Sequence, residues 1–400
     1  MALSKTSRQY IAFMATMNLG FYVFQSYYIL FLTANGLTFT DISLIFLGNF
    51  LALAMLNFVA GNFADRSGRK KAILIGGVIN VIGFVVYGLS SSLWLFLAAE
   101  IILAGSSALI MGSIEAWFVD ELKAKKLLGE ASKAFPANSS ISNILGIVGG
   151  VIGSMLVAYA LNLPMLAGAV LVGASTLFAL FFFTENYGER GSRFSGLIRE
   201  SLAHFRGSRT LRNLTYGEMF RNSAVIVYLI VYQPYMVAIG LERQYLGVFF
   251  SILAISIVLG NLLSVRAADR VGRHRLLAII CMMLFVAYLV QPFVHDYLIA
   301  GALFAFTGFT TGLALPPVII WRNSLIPSRI RASTLAVLSS ILNLGAGIST
   351  LVLGILIDSS SMQIGMFLGA VLALAAMPFY LIAKKHENGA KDELKETAAA

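Results

Sequence analysis

The sequence predicts an all-α membrane protein of twelve transmembrane helices, built as two six-helix pseudo-repeats. Three observations carry that reading. Of the 400 residues, 58% are hydrophobic and only 12% charged, about half the charge of an ordinary soluble domain. Apolar runs long enough to cross a bilayer core, about 20 residues each, recur through the chain. The second half also repeats residues of the first at a constant offset of 204 positions. A water-soluble protein of this composition would expose too much apolar surface. A disordered chain needs low hydrophobicity and dense charge, so that class is excluded as well.

The spans cover, in order, residues 9–33, 42–60, 72–90, 93–118, 134–161, 164–184, 214–240, 245–264, 276–294, 297–321, 333–357 and 362–383. Each reads as a helix, because an open strand in lipid leaves backbone groups unpaired. Lys5 and Arg8 precede a first apolar run too long for a signal core, so it reads as a retained span. Span 5 carries Gly146, Gly149, Gly150 and Gly153, small residues that let helices approach closely. In span 7 Pro234 is expected to kink the helix. The longest polar connection follows span 6 and carries Arg190, Arg193, Arg199, Arg206, Arg209 and Arg212. The expected organisation is therefore an N-terminal six-helix bundle (1–184), a basic cytoplasmic linker (185–213), a C-terminal six-helix bundle (214–384) and a charged cytoplasmic tail (385–400).

Orientation follows from where the cations fall. With the N-terminus in the cytoplasm, the inner loops and ends hold 27 of the 29 Lys and Arg residues. Arg221 lies just inside span 7 on the same side, and only Arg243 falls outside, where the loops carry Asp41, Glu242, Asp296 and Asp358. This asymmetry predicts both termini in the cytoplasm of a cell (inner) membrane. The net charge of +10 then marks a membrane face that meets anionic lipid, and nucleic acid is not an expected partner.

The repeat is clearest in two loops. Between spans 2 and 3 stands Gly61-Asn-Phe-Ala-Asp65-Arg66-Ser-Gly68-Arg69-Lys70-Lys71; between spans 8 and 9 stands Val265-Arg-Ala-Ala-Asp269-Arg270-Val-Gly272-Arg273-His274-Arg275. The same offset carries Trp117 onto Trp321 in a chain with three tryptophans. Parallel six-span repeats are one layout of secondary transporters. Gly68 permits a tight turn. Asp65, at the end of span 2, can face a neighbouring helix N-terminus, worth about 0.3–1 kcal/mol when exposed. Arg69 can pair with a carboxylate at another helix end, and Asp120 is the natural candidate.

The G-x-x-x-D-R-x-G-R-K-K block resembles the signature loop of the major facilitator superfamily, and the second copy keeps its D-R-x-G-R core. The resemblance covers the whole chain and implies alternating access, with a latch of Gly61, Asp65, Arg66, Gly68, Arg69 and Asp120. It also implies that Asp65 faces the start of span 11. The plainer reading is that these charges only set topology. In the second copy, Asp269, Arg270, Gly272 and Arg273 remain, but Val265 replaces the first glycine and Ser324 stands where the offset places the mate of Asp120. That latch is expected to be weaker.

Charges inside the membrane are expensive, at least ~2.5–3.5 kcal/mol on insertion scales. Glu100 lies deepest, seven residues into span 4, or about 10 Å along the axis. Glu115, fifteen residues on, is rotated only about 60° from it and ~22 Å away. Desolvation disfavours the charged form of a carboxylate, which makes Glu100 the leading proton-coupling candidate and Glu115 the second. Two other readings of Glu100 stand beside this one: a permanently protonated side chain bonded to a neighbour, or one that reaches outward to water. Many drug exporters of the superfamily carry an arginine in this part of span 4, and Glu100 departs from that pattern, with Phe304 as its offset mate. Glu115 and Asp120 also fit a role in the latch and gate. Glu218 and Arg221 are three apart, on one helix face; they read as a structural pair or as an inner gate.

A transporter of this class binds its substrate near the midplane between its halves. Asn18, Tyr22, Gln25 and Tyr28 in span 1, Asn138 and Asn143 in span 5, Tyr228, Tyr232 and Gln233 in span 7, and Asn343 in span 11 are the lining candidates. Aromatics with a polar tip suit an amphipathic ligand; interhelical hydrogen bonding is the alternative for each. No phosphate-binding G-x-x-x-x-G-K-[ST] sequence occurs, which argues against direct ATP-driven pumping. His204, His274, His295 and His386 all lie near loops or ends, and Cys281 is the single cysteine, so no metal site and no cofactor is expected. The expected protein is a monomeric secondary transporter, not an enzyme, coupled to protons and exporting a moderately hydrophobic or cationic compound. Proton-coupled uptake of a small neutral or cationic nutrient is the second reading; a membrane-embedded enzyme or a transporter-like sensor is the alternative of another class.

Overall fold

The computed structural model describes residues 3–187 and 194–385. Among these residues every regular element is helical. The α-helices are α1 (Lys5–Gln25), α2 (Tyr28–Ala34), α3 (Phe39–Ser67), α4 (Arg69–Leu89), α5 (Leu93–Ala124), α6 (Ala131–Val157), α7 (Leu163–Phe182), α8 (Phe194–Gly207), α9 (Arg209–Ala238), α10 (Leu246–Val271), α11 (Arg273–Val290), α12 (Tyr297–Ser324), α13 (Arg331–Ser359) and α14 (Met362–Lys385). Ten of them are long and apolar enough to cross a membrane, with cores from Phe39–Asn57 to Met362–Lys385. The protein is therefore a multi-pass membrane protein. The two expected spans outside that set are the first and the seventh. α1 carries Gln9, Thr16 and Asn18 and stops at Gln25, while α9 carries Arg212, Asn213, Glu218 and Arg221.

Local chemistry sets the boundaries. Thr38 and Asp41 form a reciprocal capping box that starts α3. Asp296 accepts from the backbone N–H groups of Leu298 and Ile299 at 2.8 and 2.9 Å and starts α12. Gly68 (φ 103°) and Gly272 (φ 83°) separate α3 from α4 and α10 from α11. A side chain at either position would meet backbone strain, so the repeated glycine of the signature loop is a geometric requirement. α9 continues through Pro234 without losing its helical run. The linker, expected as a polar connection, contains a helix of its own, α8, and its residues 188–193, with Arg190 and Arg193, lie outside the described part. So does the tail from 386 onward, with His386.

The chain divides into two compact units: Met1–Ser192 with Leu241–Ala254, and Arg193–Gly240 with Ile255–Ala400. In the first, α1 packs on α6 and α7, α4 on α5 and α7, and α3 on α5. In the second, α9 packs on α13 and α14, and α11 on α12 and α14. Four of the first unit's five pairings, those of α1 and α4, recur in the second at the offset of the sequence repeat. The span 5 glycines serve close packing: a Cβ on Gly149 would lie 2.6 Å from the Cβ of Tyr22 in α1.

Candidate functional site

Glu100 is the centre of a polar cluster inside the first unit. It sits two turns into α5 and is 6% exposed. The Tyr28 hydroxyl donates to its Oε1 at 2.6 Å. The amide of Asn49, on α3, donates to its Oε2 at 2.7 Å. Around this carboxylate stand aromatic rings. Tyr28 lies 5.3 Å from both Tyr87 and Phe46, and Tyr87 lies 5.0 Å from Phe96. Among the described residues, Glu100 takes part in no ion pair. A buried carboxylate held by neutral donors, without a cation, is one that a proton can neutralise.

Tyr28 reaches Glu100 because the first span is broken. α1 ends where Ser26 turns its hydroxyl onto the carbonyl of Val23 at 2.8 Å. Tyr27 leaves the helical region at φ −131°, and α2 restarts at Tyr28. Adjacent tyrosines thus point to different partners. The Tyr27 hydroxyl donates to the carbonyl of Gln244 at 2.8 Å and accepts from the Gly247 N–H at 3.0 Å, at the start of α10. There Gly247 packs directly on the backbone of Gly150 in α6, and the Ser251 hydroxyl donates to the carbonyl of Ile147 at 2.8 Å.

The repeat leaves this chemistry in one unit only. The offset carries Tyr28 onto Tyr232 and Glu100 onto Phe304. Those two rings stack at 3.5 Å, within 4° of parallel. The first unit therefore holds a buried carboxylate where the second holds an aromatic stack.

The signature loop folds into a second cluster. The Arg69 guanidinium bonds to Asp120 at the end of α5 and reaches Asp65 at 3.4 Å. Lys123 also lies 3.6 Å from Asp120. The segment after α7 straps this corner. The Glu185 carboxylate accepts from the backbone N–H groups of Lys70 and Lys71 at 2.9 and 3.1 Å, capping α4. The Arg69 N–H donates to the carbonyl of Asn186 at 2.9 Å. Trp117 stacks on Phe183 at 3.8 Å and donates to the carbonyl of Thr184 at 2.8 Å. In the second unit the Arg273 guanidinium lies over Trp321, 5.1 Å from the ring centre, and Ser324 turns its hydroxyl back onto the carbonyl of Trp321 at 2.7 Å. Asp269, Arg66 and Arg270 are exposed; the surroundings of Gly61 lie outside the described residues.

Other candidates are distributed differently from their sequence spacing. Glu218 forms its ion pair with Arg322 of α12, at 3.4 Å, whereas Arg221 is buried and interacts with Tyr380 as well as Glu218. Spacing along α9 cannot reveal Arg322, because the pairing is made between helices. Glu115 is exposed near the other end of α5, and the structure does not bring it to Glu100. Asn18 donates to the Ser142 hydroxyl at 3.0 Å, and the Tyr22 hydroxyl lies 3.1 Å from the same oxygen. Asn138 and Asn143 are half-buried on α6, and Asn343 is half-buried on α13; Gln25 is exposed. Tyr228 stacks on Tyr288 at 4.4 Å, and Tyr228, Tyr232 and Gln233 are all buried within the second unit. Sequence reasoning missed Asn49, Tyr87, Glu185 and Arg322. Asn49 did carry a signal, as an amide inside an otherwise apolar span.

A family model described as Major Facilitator Superfamily matches residues 11–239 and again 218–400. The chain is 23% identical over 281 residues to the uncharacterized MFS-type transporter YxaM of Bacillus subtilis (strain 168), covering 68% of each chain. It is 24% identical over 284 residues to the multi-drug resistance efflux pump PmrA homolog of Lactococcus lactis subsp. lactis (strain IL1403), covering 69% of this chain and 67% of that one. Its fold matches the crystal structure of the nucleoside transporter NupG with a TM-score of 0.77 at 16% identity, over 94% of this chain and 99% of that one.

Proposed function

The chain belongs to the Major Facilitator Superfamily, and from that premise we propose that it exports a moderately hydrophobic or cationic compound by alternating access, driven by proton exchange at Glu100. Its relatives and its fold are those of transporters, not enzymes. The observation that carries the coupling is the Glu100 cluster, a carboxylate buried among aromatic rings and bonded only to the neutral donors Tyr28 and Asn49. Export is favoured by the similarity to an efflux pump and by the aromatic and amide character of Asn18, Tyr22 and Asn138, the last with a buried amide oxygen that has no partner.

The working protein crosses an inner membrane twelve times with both termini in the cytoplasm; α1 with α2, and α9, supply the two crossings beyond the ten most apolar. The bundles are 1–184 and 214–384, joined by the basic linker. The Arg69–Asp120 corner and the second loop are the latch elements, and Glu218 with Arg221 and Arg322 forms an inner charge cluster. The protein acts as a monomer in contact with anionic lipid.

A thermal-shift screen of the purified protein against lipophilic cations, sugars and amino acids identifies the transported class. Stabilisation by lipophilic cations is the expected result; stabilisation by a polar nutrient alone overturns the export reading. Proteoliposome transport of the stabilising compound under a pH gradient then tests coupling. Glu100→Gln is expected to abolish gradient-driven transport. Undiminished transport in that variant refutes the role of Glu100.

A further inference from the structure

The hydrogen bonds around Glu100 suit only one of its charge states. Both carboxylate oxygens accept, from Tyr28 and from Asn49. That arrangement satisfies an ionised carboxylate, which is acceptor-only. A protonated carboxyl must instead place one hydrogen on an acceptor, and the donors already in place do not offer one without rearrangement.

Tyr87 supplies the missing acceptor. It lies on α4, fully buried at 0% exposure, and its ring is 5.3 Å from that of Tyr28. It interacts electrostatically with both Tyr28 and Glu100. Its hydroxyl receives no hydrogen bond of acceptable geometry in this structure, although it is buried. Buried polar groups are rarely left unsatisfied, and an exception asks for a reason.

We propose that Glu100, Tyr28 and Tyr87 form a hydrogen-bond switch, with Tyr87 as the positioning residue that satisfies the protonated state. This rests on the reading of Glu100 as the proton-coupling carboxylate. In the ionised state Tyr28 donates to Glu100, and the Tyr87 hydroxyl beside it accepts no hydrogen bond of good geometry. When a proton from water bonds to Oε1, the new O–H donates to the Tyr28 oxygen. Tyr28 keeps its own proton but rotates it away from Glu100, onto the Tyr87 oxygen. Asn49 continues to donate to Oε2. The groups facing the carboxylate are Tyr28 from α2, Asn49 from α3 and Tyr87 from α4, so the switch runs without a competing cation. Because Tyr28 begins α2 directly after the break at Tyr27, the reversal occurs beside the tyrosine that holds the start of α10.

The test is a pH titration of the full chain by difference infrared spectroscopy, following the protonated-carboxyl band that disappears in Glu100→Gln. Tyr87→Phe removes the acceptor and nothing else, and is expected to require a roughly threefold to tenfold higher proton concentration for half-protonation, the worth of one hydrogen bond. Tyr28→Phe cuts the relay, so adding Tyr87→Phe to it is expected to produce no further change. An unchanged midpoint in Tyr87→Phe overturns the switch, as does a further shift in the double variant. Absence of any band lost in Glu100→Gln is a separate result, and refutes the proton-coupling reading itself.

Discussion

The Arg69 corner allows a graded test of which carboxylate the signature arginine uses. Its side chain is 10% exposed, that of Asp120 is 32% exposed and that of Asp65 is 48% exposed. Arg69 bonds directly to Asp120, whereas its contact with Asp65 is 3.4 Å. Breaking a fully buried ion pair costs about 3–5 kcal/mol; an exposed pair contributes about 0–1 kcal/mol. With one buried and one partly hydrated partner, the Arg69–Asp120 coupling should lie between, at about 1–3 kcal/mol. The Arg69–Asp65 coupling should stay below about 1 kcal/mol. Double-mutant cycles of Arg69→Gln with Asp120→Asn and with Asp65→Asn, read by equilibrium unfolding in mixed micelles, measure both. Added salt should weaken the Asp65 term more than the Asp120 term, because exposed pairs are screened first. A coupling to Asp65 equal to or larger than that to Asp120 would refute the reasoning.

Three further outcomes follow from the same structure. Glu185→Ala removes the carboxylate that caps Lys70 and Lys71; the loss should be about 0.5–2 kcal/mol in the same unfolding assay, and Glu185→Gln should recover part of it. Gly247→Ala drives a methyl into the backbone of Gly150, which cannot rotate away; a destabilisation of about 1–3 kcal/mol is expected, with loss of the Tyr27 bonds, and a melting temperature equal to the parent's would show that the contact is not made. Glu100→Leu removes the carboxylate that accepts from Tyr28 and Asn49 and leaves Asn49 its longer bond to the backbone carbonyl of residue 100, at 3.3 Å; the cost should be about 0.6–1.7 kcal/mol per interhelical bond lost. Adding Tyr28→Phe and Asn49→Leu should restore most of the loss, since removing both partners of a buried bond can be nearly neutral; a triple variant less stable than Glu100→Leu would argue against the network.

Much of the site could be read residue by residue. Glu100 was legible because an isolated charge in an apolar run has few structural excuses. The Arg69–Asp120 pair was legible because helix ends bring such groups together. Tyr28 was marked as a lining residue, but its bond to Glu100 depends on a break between Gln25 and Tyr28 that no proline or glycine announces. Arg322 stayed hidden as the partner of Glu218, since spacing within one helix speaks only for that helix.

The sequence by itself determined the solvent, the helical class, the repeat and the glycine turns at Gly68 and Gly272. Each rests on composition, period or a backbone angle, which are local properties. Tertiary structure alone decided that Asn49, Tyr28 and Tyr87, from three different helices, converge on Glu100, while the equivalent place in the second unit closes as a Tyr232–Phe304 stack. A buried carboxylate is tolerated only where donors meet it in space, and the meeting is set by helix packing, which the order of residues along any single span does not encode.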